Sequence, residues 1–423
     1  MKTKILPVPV SPDSPSLGHW ASSSSSSSSS NASSSNGNDV PSNLEEWQVP
    51  LTTIPPSLLS AATALRTTPV PVAFPTETVY GLGADATRSA AVRGIYTAKG
   101  RPSDNPLIVH VADLAMLRSL LSAPIPPIYL PLIKKFWPGP LTILLPVSAD
   151  SQRKLAPEVT AGLPTFGARM PASPLARTLI KLAGAPLAAP SANASTKPSP
   201  TTAQHVLDDL DGRIEVILDG GPCAVGVEST VVDGLCEPPA VLRPGGVSIE
   251  ELRACRGWEG VVRAYRDADA GEEKPRAPGM KYKHYSPRAR VVLFEGGDGD
   301  GKKKWQGAGG EEERTVGVIR TGRWEVDGGW DGFEVEEFGR QVGEGVVDVR
   351  EGKLVGEKEL RLLDVDLTGG VKAVAHGLFA ALRELDRLGA DVILVEGVDD
   401  GDDIAAAVMN RLRKAASEIR RAS

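Results

Sequence analysis

The chain has 423 residues, 41% of them hydrophobic and 24% charged, with a formal net charge of -6. That length exceeds one ordinary domain and predicts two folded units plus some unstructured sequence. The mild acidity excludes a global electrostatic attraction to nucleic acid or an anionic membrane, so an anion site must be local. Cys223, Cys236 and Cys255 are an odd set without metal-ligand spacing and fit unpaired, structural thiols in a reducing compartment. No apolar run is long enough to cross a bilayer, and the first arginine is Arg66, unlike an Arg-rich presequence. A cytoplasmic location and no membrane partner are expected.

Lys4-Ile5-Leu6 predicts a short edge strand within residues 1–10, ahead of a Ser-rich insert over 11–47 whose composition cannot bury enough apolar surface to order itself. From Leu51 onward, short apolar runs alternate with helical patterns, predicting an α/β domain over 48–262. Its strands are expected at Val70–Phe74, Leu107–Val111, Leu141–Val147, Pro186–Ala189, Glu215–Leu218, Ser229–Val232 and Ala240–Leu242. Ser89–Ala98 predicts a helix, and Ser248 with Glu251 stands in capping-box register for another. Residues 263–289 read as a proline-marked linker, unusually rich in Met, Tyr and His. Beyond it, Val291–Phe294, Thr315–Ile319 and Asp391–Val395 predict strands, and Val374–Leu388 and Ile404–Ala416 helices, of a smaller α/β domain over 290–423. A flexible insert is expected near 296–314.

Gly81-Leu82-Gly83-Ala84-Asp85-Ala86 fits a dinucleotide fingerprint, but the glycines lie six residues beyond their strand, and Lys99 and Arg101 occupy the region of the ribose-binding acid. The glycines are instead expected to serve a turn. Gly296–Lys303 resembles a phosphate loop but lacks its Ser or Thr. The stronger constellation is Pro75–Gly83 at a strand end, followed by Lys99–Leu107, which places two cations and an amide in a Pro/Gly-fixed loop suited to a polyphosphate. Further arginines, hydroxyls and amides follow apolar runs at Thr165–Pro171, Ala189–Ser195, Val227–Thr230 and Leu242–Gly245. Such repetition is what one concave site binding phosphate and carboxylate oxygens requires. No paired-carboxylate spacing and no metal-type cluster accompanies them.

The segments PTETVYGLG, KGRPSDNPL, PGPLT, APSANAS, VESTVVD, LRPG and PGMKYKHYSP, in this order, resemble the Sua/YrdC/YciO family. The resemblance implies a YrdC-like domain, a twisted mixed sheet with a large cavity, followed by a Rossmann-like α/β domain of the longer, Sua-type branch. It also implies synthesis of threonylcarbamoyl-adenylate from L-threonine, bicarbonate and ATP, with Mg2+ accompanying ATP, for the t6A modification beside the anticodon of tRNAs. Carried over by motif, the threonine site comprises Thr78, His110, Arg169, the backbone near Ala189, and Ser229. The ATP site comprises Arg101, Asn105, Thr165, Ser191, Ser199, Arg243 and, from the linker, Tyr285. Lys99, Arg101 and Arg243 carry the catalytic charge stabilisation, and no protein-held metal is implied.

A hydrogenase-maturation relative sharing the YrdC-like domain is the alternative enzyme, but its CxxC zinc motifs are not visible here. An RNA-binding module is the non-catalytic alternative. The hydroxyl and amide donors Thr78, Asn105, Ser191 and Ser229 suit a small molecule better than a phosphate-tracking surface. The expected partners are therefore the small substrates and a downstream tRNA threonylcarbamoyl transferase complex, with direct RNA or tRNA contact left open. The linker residues Tyr282, His284 and Tyr285 are expected to close over the cavity as a lid.

Overall fold

The computed structural model describes residues 2–9, 17–21, 42–265, 284–296, 314–324, 334–341, 346–355, 359–401 and 404–421. An eleven-stranded mixed sheet runs, from one edge to the other, through Lys4–Pro7, Val216–Asp219, Val72–Pro75, Tyr80–Asp85, Leu187–Ala188, Val109–His110, Thr165–Arg169, Leu141–Pro146, Thr230–Asp233, Ala240–Arg243 and Val262–Arg263. Alternating side chains of a strand face opposite layers. Val72 and Phe74 join the layer containing helices Pro56–Thr67 and Pro174–Ala183, whereas Ala73 joins the layer of helix Ser89–Lys99. The Ser248–Glu251 register closes a capping box: Ser248 Oγ accepts from Glu251 N and Glu251 Oε2 from Ser248 N.

The strand expected over Val70–Phe74 is Val72–Pro75 and pairs antiparallel with Tyr80–Asp85, Pro75 opposite Tyr80, so the connection is only Thr76–Val79. Gly81 and Gly83 therefore do not serve a turn but lie inside a strand. The reason is space, because a Cβ on Gly83 would stand 2.6 Å from the Phe74 ring.

The disorder expected over 11–47 is also too broad, since His19–Trp20 pairs antiparallel with Trp47–Gln48. The Arg177 guanidinium lies 4.7 Å from the Trp20 ring and 3.9 Å from that of Trp47, and Asp113 Oδ2 accepts from Trp47 N. Aromatic faces over a buried cation order both ends of the insert. Its serine run, Ser22–Ser30, lies outside the described residues, as do 266–283 of the linker and 297–313 of the second insert.

The C-terminal domain holds a seven-stranded sheet in the order Glu334–Gln341, Val349–Val355, Glu359–Asp366, Thr315–Arg320, Val392–Glu396, Arg290–Glu295 and Glu418–Arg421. The last five are mutually parallel, with helices Val371–Arg387 and Ile404–Ala415 as the Rossmann-like layer. The first two add an antiparallel meander not expected from sequence. Ligands of such sheets bind in the crevice beyond the strand ends. Here Glu396, buried at such an end, accepts from the backbone N–H groups of Thr321, Gly322 and Arg323 at 2.7, 3.0 and 2.6 Å, so a carboxylate of the chain itself already occupies that amide nest.

The two domains share a core. Val79 and Val227 of the first pack in one cluster with Tyr285, Phe379 and Leu378 of the segment beyond. At the seam Gly226 has φ +83°, and a Cβ there would meet Ala375 O at 2.4 Å. Both the left-handed backbone and the contact require glycine. Gly226→Ala is expected to cost about 3 kcal/mol of stability. An unchanged denaturation midpoint would show that the seam yields freely.

Candidate active site

A cavity opens where the Thr76–Val79 connection, the strand Val109–His110, the end of Thr165–Arg169, the Ala189–Lys197 loop and the linker's return at His284-Tyr285 converge. Nine of the residues expected from sequence line it: Thr78, His110, Arg169, Ala189, Ser229, Arg101, Ser191, Arg243 and Tyr285. Residues separated by more than 200 positions are thus brought to one cavity, as Thr78 and Tyr285 show.

On one side, Thr76 Oγ1 donates to Val79 O at 2.7 Å and lies 2.8 Å from Thr78 Oγ1. Val79 O can only accept, so the hydroxyl proton of Thr78 goes to Thr76, leaving lone pairs of Thr78 as acceptors. Arg169 is held by Glu77 at 2.6 Å and by Gly139 O at 3.2 Å, while Glu77 Oε2 accepts from Ala172 N. His110 Nδ1 stands 3.3 Å from Ile108 O, which fixes the proton on Nδ1 and leaves Nε2 the acceptor. Burial, reinforced by the nearby Arg169 charge, lowers the His110 pKa to about 3, so the ring is neutral at physiological pH.

On the other side, Arg243 donates through Nε and Nη2 to Ser229 O at 3.1 and 2.9 Å and through Nη2 to Ser229 Oγ at 3.1 Å. Ser229 Oγ also lies 2.8 Å from Thr142 Oγ1. Burial lowers the Arg243 pKa to about 10, opposed by Glu228, so it stays cationic. Among the described residues Arg101, Arg169, Arg243 and Lys197 line the cavity, against the single carboxylate of Glu228. The wall is cationic inside a chain that is acidic overall, which is the local field an anionic substrate requires.

Four expected residues stand elsewhere. Lys99, buried at the C-terminal end of helix Ser89–Lys99, directs Nζ to Ser191 O, Asn193 O and Asn193 Oδ1 at 2.5, 2.7 and 3.4 Å. Its three protons are thereby committed to the loop wall and not to the cavity. Burial and the adjacent Arg101 lower its pKa well below the usual lysine value. Ser199, fully buried, donates to Glu228 Oε1 at 2.6 Å and stands behind that carboxylate. Asn105 is buried behind the Arg101 loop, its backbone carbonyl accepting from Tyr96 Oη. Thr165 is the first residue of the strand that Arg169 ends, so four steps along the strand, roughly 13 Å, separate them.

Sequence reasoning missed Glu77, Asn193, Lys197 and Glu228. Glu77 and Glu228 lie inside the quoted motifs PTETVYGLG and VESTVVD, and the signal that could have singled them out is a carboxylate among cation donors. His284 lines the cavity beside Tyr285, but Tyr282 lies outside the described residues. Tyr285 is buried with φ +65°, stacked 5.1 Å from the Phe379 ring. Burial and the Glu228 carboxylate push its hydroxyl pKa up to about 12.

No helix among the described residues is long and apolar enough to cross a membrane. The family described as Telomere recombination, which groups Sua5, YciO and YrdC, matches residues 69–245. The family described as Threonylcarbamoyl-AMP synthase, C-terminal domain, matches residues 247–417. A threonylcarbamoyl-AMP synthase of Schizosaccharomyces pombe is 47% identical, covering 86% of this chain and 91% of its own, and one of Bacillus subtilis is 44% identical, covering 86% and 94%. The crystal structure of Pyrococcus abyssi Sua5 complexed with L-threonine superposes with a TM-score of 0.70 at 40% identity, covering 89% of this chain and 98% of that one. With both matched regions in the same order as the two folded units and the cavity in the first of them, the chain belongs to the Sua5/YciO/YrdC family, in the branch that carries the Sua5 C-terminal domain.

Proposed function

We propose that this chain is a threonylcarbamoyl-AMP synthase, converting L-threonine, bicarbonate and ATP into threonylcarbamoyl-adenylate and pyrophosphate for t6A modification of tRNA. The observation that carries it is one cavity lined by two chemically distinct sets of groups: Thr78, His110 and Arg169 form one, and Arg101, Ser191 and Arg243 the other. The first offers acceptors for an ammonium and a cation for a carboxylate, the complement of an amino acid. The second offers cations for phosphates.

In this reading the ammonium of threonine gives up one proton to solvent, and the resulting amine adds to the carbon of bicarbonate and expels water to give the carbamate. A carbamate oxygen then attacks the α-phosphorus of ATP, and the bond to the β-phosphate oxygen breaks with its electron pair leaving on pyrophosphate. Charge grows on phosphate oxygens, so fixed guanidinium groups stabilise the transition state without reorganising. Neutral His110 and Thr78 position the amino acid, and burial of the cavity limits hydrolysis of the labile carbamate. Lys99 acts through the Ser191–Asn193 backbone, as a positioning residue. Ser199 acts through Glu228, and the ATP roles of Asn105 and Thr165 rest on their motifs alone.

Magnesium enters this scheme with ATP as part of the substrate. Among the described residues no group of three or more His, Cys, Asp or Glu side chains could hold a metal ion. The Glu228 oxygens are engaged by Ser199 and Arg411. The product is an activated acyl-adenylate, which a tRNA threonylcarbamoyl transferase must consume. Incubation with ATP, magnesium, bicarbonate and labelled threonine is expected to yield threonylcarbamoyl-adenylate, with pyrophosphate released only when both threonine and bicarbonate are present. RNA binding that weakens with salt, with no such turnover by the folded protein, would favour the binding-module reading instead.

A further inference from the structure

Among the described residues Glu228 is the only carboxylate lining the cavity, and its second partner comes from the other domain. Arg411, in the helix Ile404–Ala415, is completely buried and donates Nε to Glu228 Oε2 at 2.9 Å, while Ser199 holds Oε1 at 2.6 Å. Arg411 also lies with its guanidinium carbon 5.6 Å from the centre of the Tyr285 ring, whose opposite packing partner is Phe379 of the same domain. The neighbouring helix repeats the device. Arg383 reaches Asp209 Oδ2 at 2.7 Å and the carbonyl of Pro198, and Asp209 in turn holds Lys197 of the cavity at 2.9 Å.

A buried guanidinium with no role beyond cohesion is a poor investment, since hydrophobic replacement of such a pair is often neutral or stabilising. We propose that the C-terminal domain supplies Arg411 as a positioning residue of the active site, fixing Glu228 so that Ser199 and Tyr285 stand in register with Arg243 on the ATP side. The inference rests on the reaction proposed above. It assigns the C-terminal domain a direct part in building the nucleotide site, through Glu228 of the first domain and Tyr285 of the linker. Arg411 touches no cavity surface itself and acts through Glu228 and Tyr285.

The specific consequence is a selective loss. In the proposed reaction Tyr285, which lines the cavity, and Ser199, which stands behind Glu228, serve ATP, whereas Thr78, His110 and Arg169 are held by contacts within the first domain that do not involve Arg411. Arg411→Lys keeps the charge but replaces a planar fork with a point charge that cannot reproduce the Nε donor geometry. In the full-length chain it is expected to raise KM for ATP by about tenfold and KM for threonine by less than about twofold. A smaller folded fraction lowers the apparent kcat but leaves the ratio of the two KM values alone, so this ratio separates positioning from mere stability.

Glu228→Gln combined with Arg411→Met removes both charges and with them the cost of an unpaired buried carboxylate. Under this proposal it still shows the raised ATP KM. A ratio equal to that of the unaltered protein in Arg411→Lys, or its return to that value in the double variant, overturns the proposal. Failure of the unaltered protein to form threonylcarbamoyl-adenylate would instead overturn the reaction on which it rests.

Discussion

Replacing Arg243 by methionine is expected to lower kcat/KM for ATP by about a thousandfold, roughly 4 kcal/mol of transition-state stabilisation. Arg243 ends the strand Ala240–Arg243, lies 7% exposed, and uses two donors on the Ser229 carbonyl and one of them again on the Ser229 hydroxyl. It is therefore rigid before substrate arrives, which is what makes a fixed charge effective when negative charge develops on phosphate. The loss has a second part, because Ser229 is released from the same guanidinium and keeps only Thr142 as a side-chain partner. Arg243→Lys should recover part of the rate through its charge but not the paired contact at Ser229. The fold should survive both substitutions, because Glu228 keeps Arg411 and Ser199. Pyrophosphate release measured beside circular dichroism tests this. A near-normal rate in a folded Arg243→Met protein would remove Arg243 from the reaction.

Why nine of the thirteen expected site residues line the cavity and four do not follows from what a motif encodes. Thr78, Arg169 and Ser229 stand at strand ends flanked by Gly, Pro or hydroxyl residues, so local chemistry marks them and the sheet brings them together. Lys99 carries the same local marks. Whether its ammonium faces the cavity or three carbonyl and amide oxygens of a loop 92 to 94 residues away is decided by tertiary packing alone. Thr165 shows the converse case, being one strand's length from Arg169 with a direction no spacing argument supplies.

Fold elements divided in the same way. The parallel strands Val216–Asp219, Thr315–Arg320 and Val392–Glu396 are apolar runs that periodicity detects, whereas the parallel strands Thr165–Arg169, Glu359–Asp366 and Glu418–Arg421 are not among those expected. The Tyr80–Asp85 strand carries two glycines that a local reading takes for a turn, and only the Phe74 ring across the hairpin explains them. The meander Val349–Val355 and Glu359–Asp366 is rich in charge because its outer positions face solvent, which masks its alternation. Glu228 was missed for a deeper reason: its meaning depends on Arg411, 183 residues away.

Acidification from pH 7.5 to pH 5 is expected to remove about 4 kcal/mol of folding stability, through two histidines that the fold keeps neutral. His110 and His205 both have pKa values lowered to about 3 by burial, with Arg169 adding to the effect at the first and Arg383 at the second. An unfolded chain binds a proton at each near pH 6.5. The native state does not, so their contribution is complete above about pH 6.5 and declines as pH falls toward the folded value of about 3. Each group thus contributes about 2 kcal/mol of loss by pH 5, and the result is the same for any folded pKa well below 5. Carboxylates do not account for this window. Glu228, which burial alone would raise but Arg411 and Arg243 hold at about 2, gives stability that is lost only as pH falls below the ordinary Glu value of about 4.5. The control is His205→Gln, whose amide oxygen can still accept from Thr201 N, the present partner of His205 Nδ1 at 3.3 Å. That variant should halve the pH dependence while leaving the His110 share intact. Denaturant unfolding at pH 7.5, 6.5, 5.5 and 5 measures it. A stability that is flat across this range would mean that both imidazoles can take up protons inside the fold, and that the amino-acid side of the cavity is wetter and more yielding than its packing indicates.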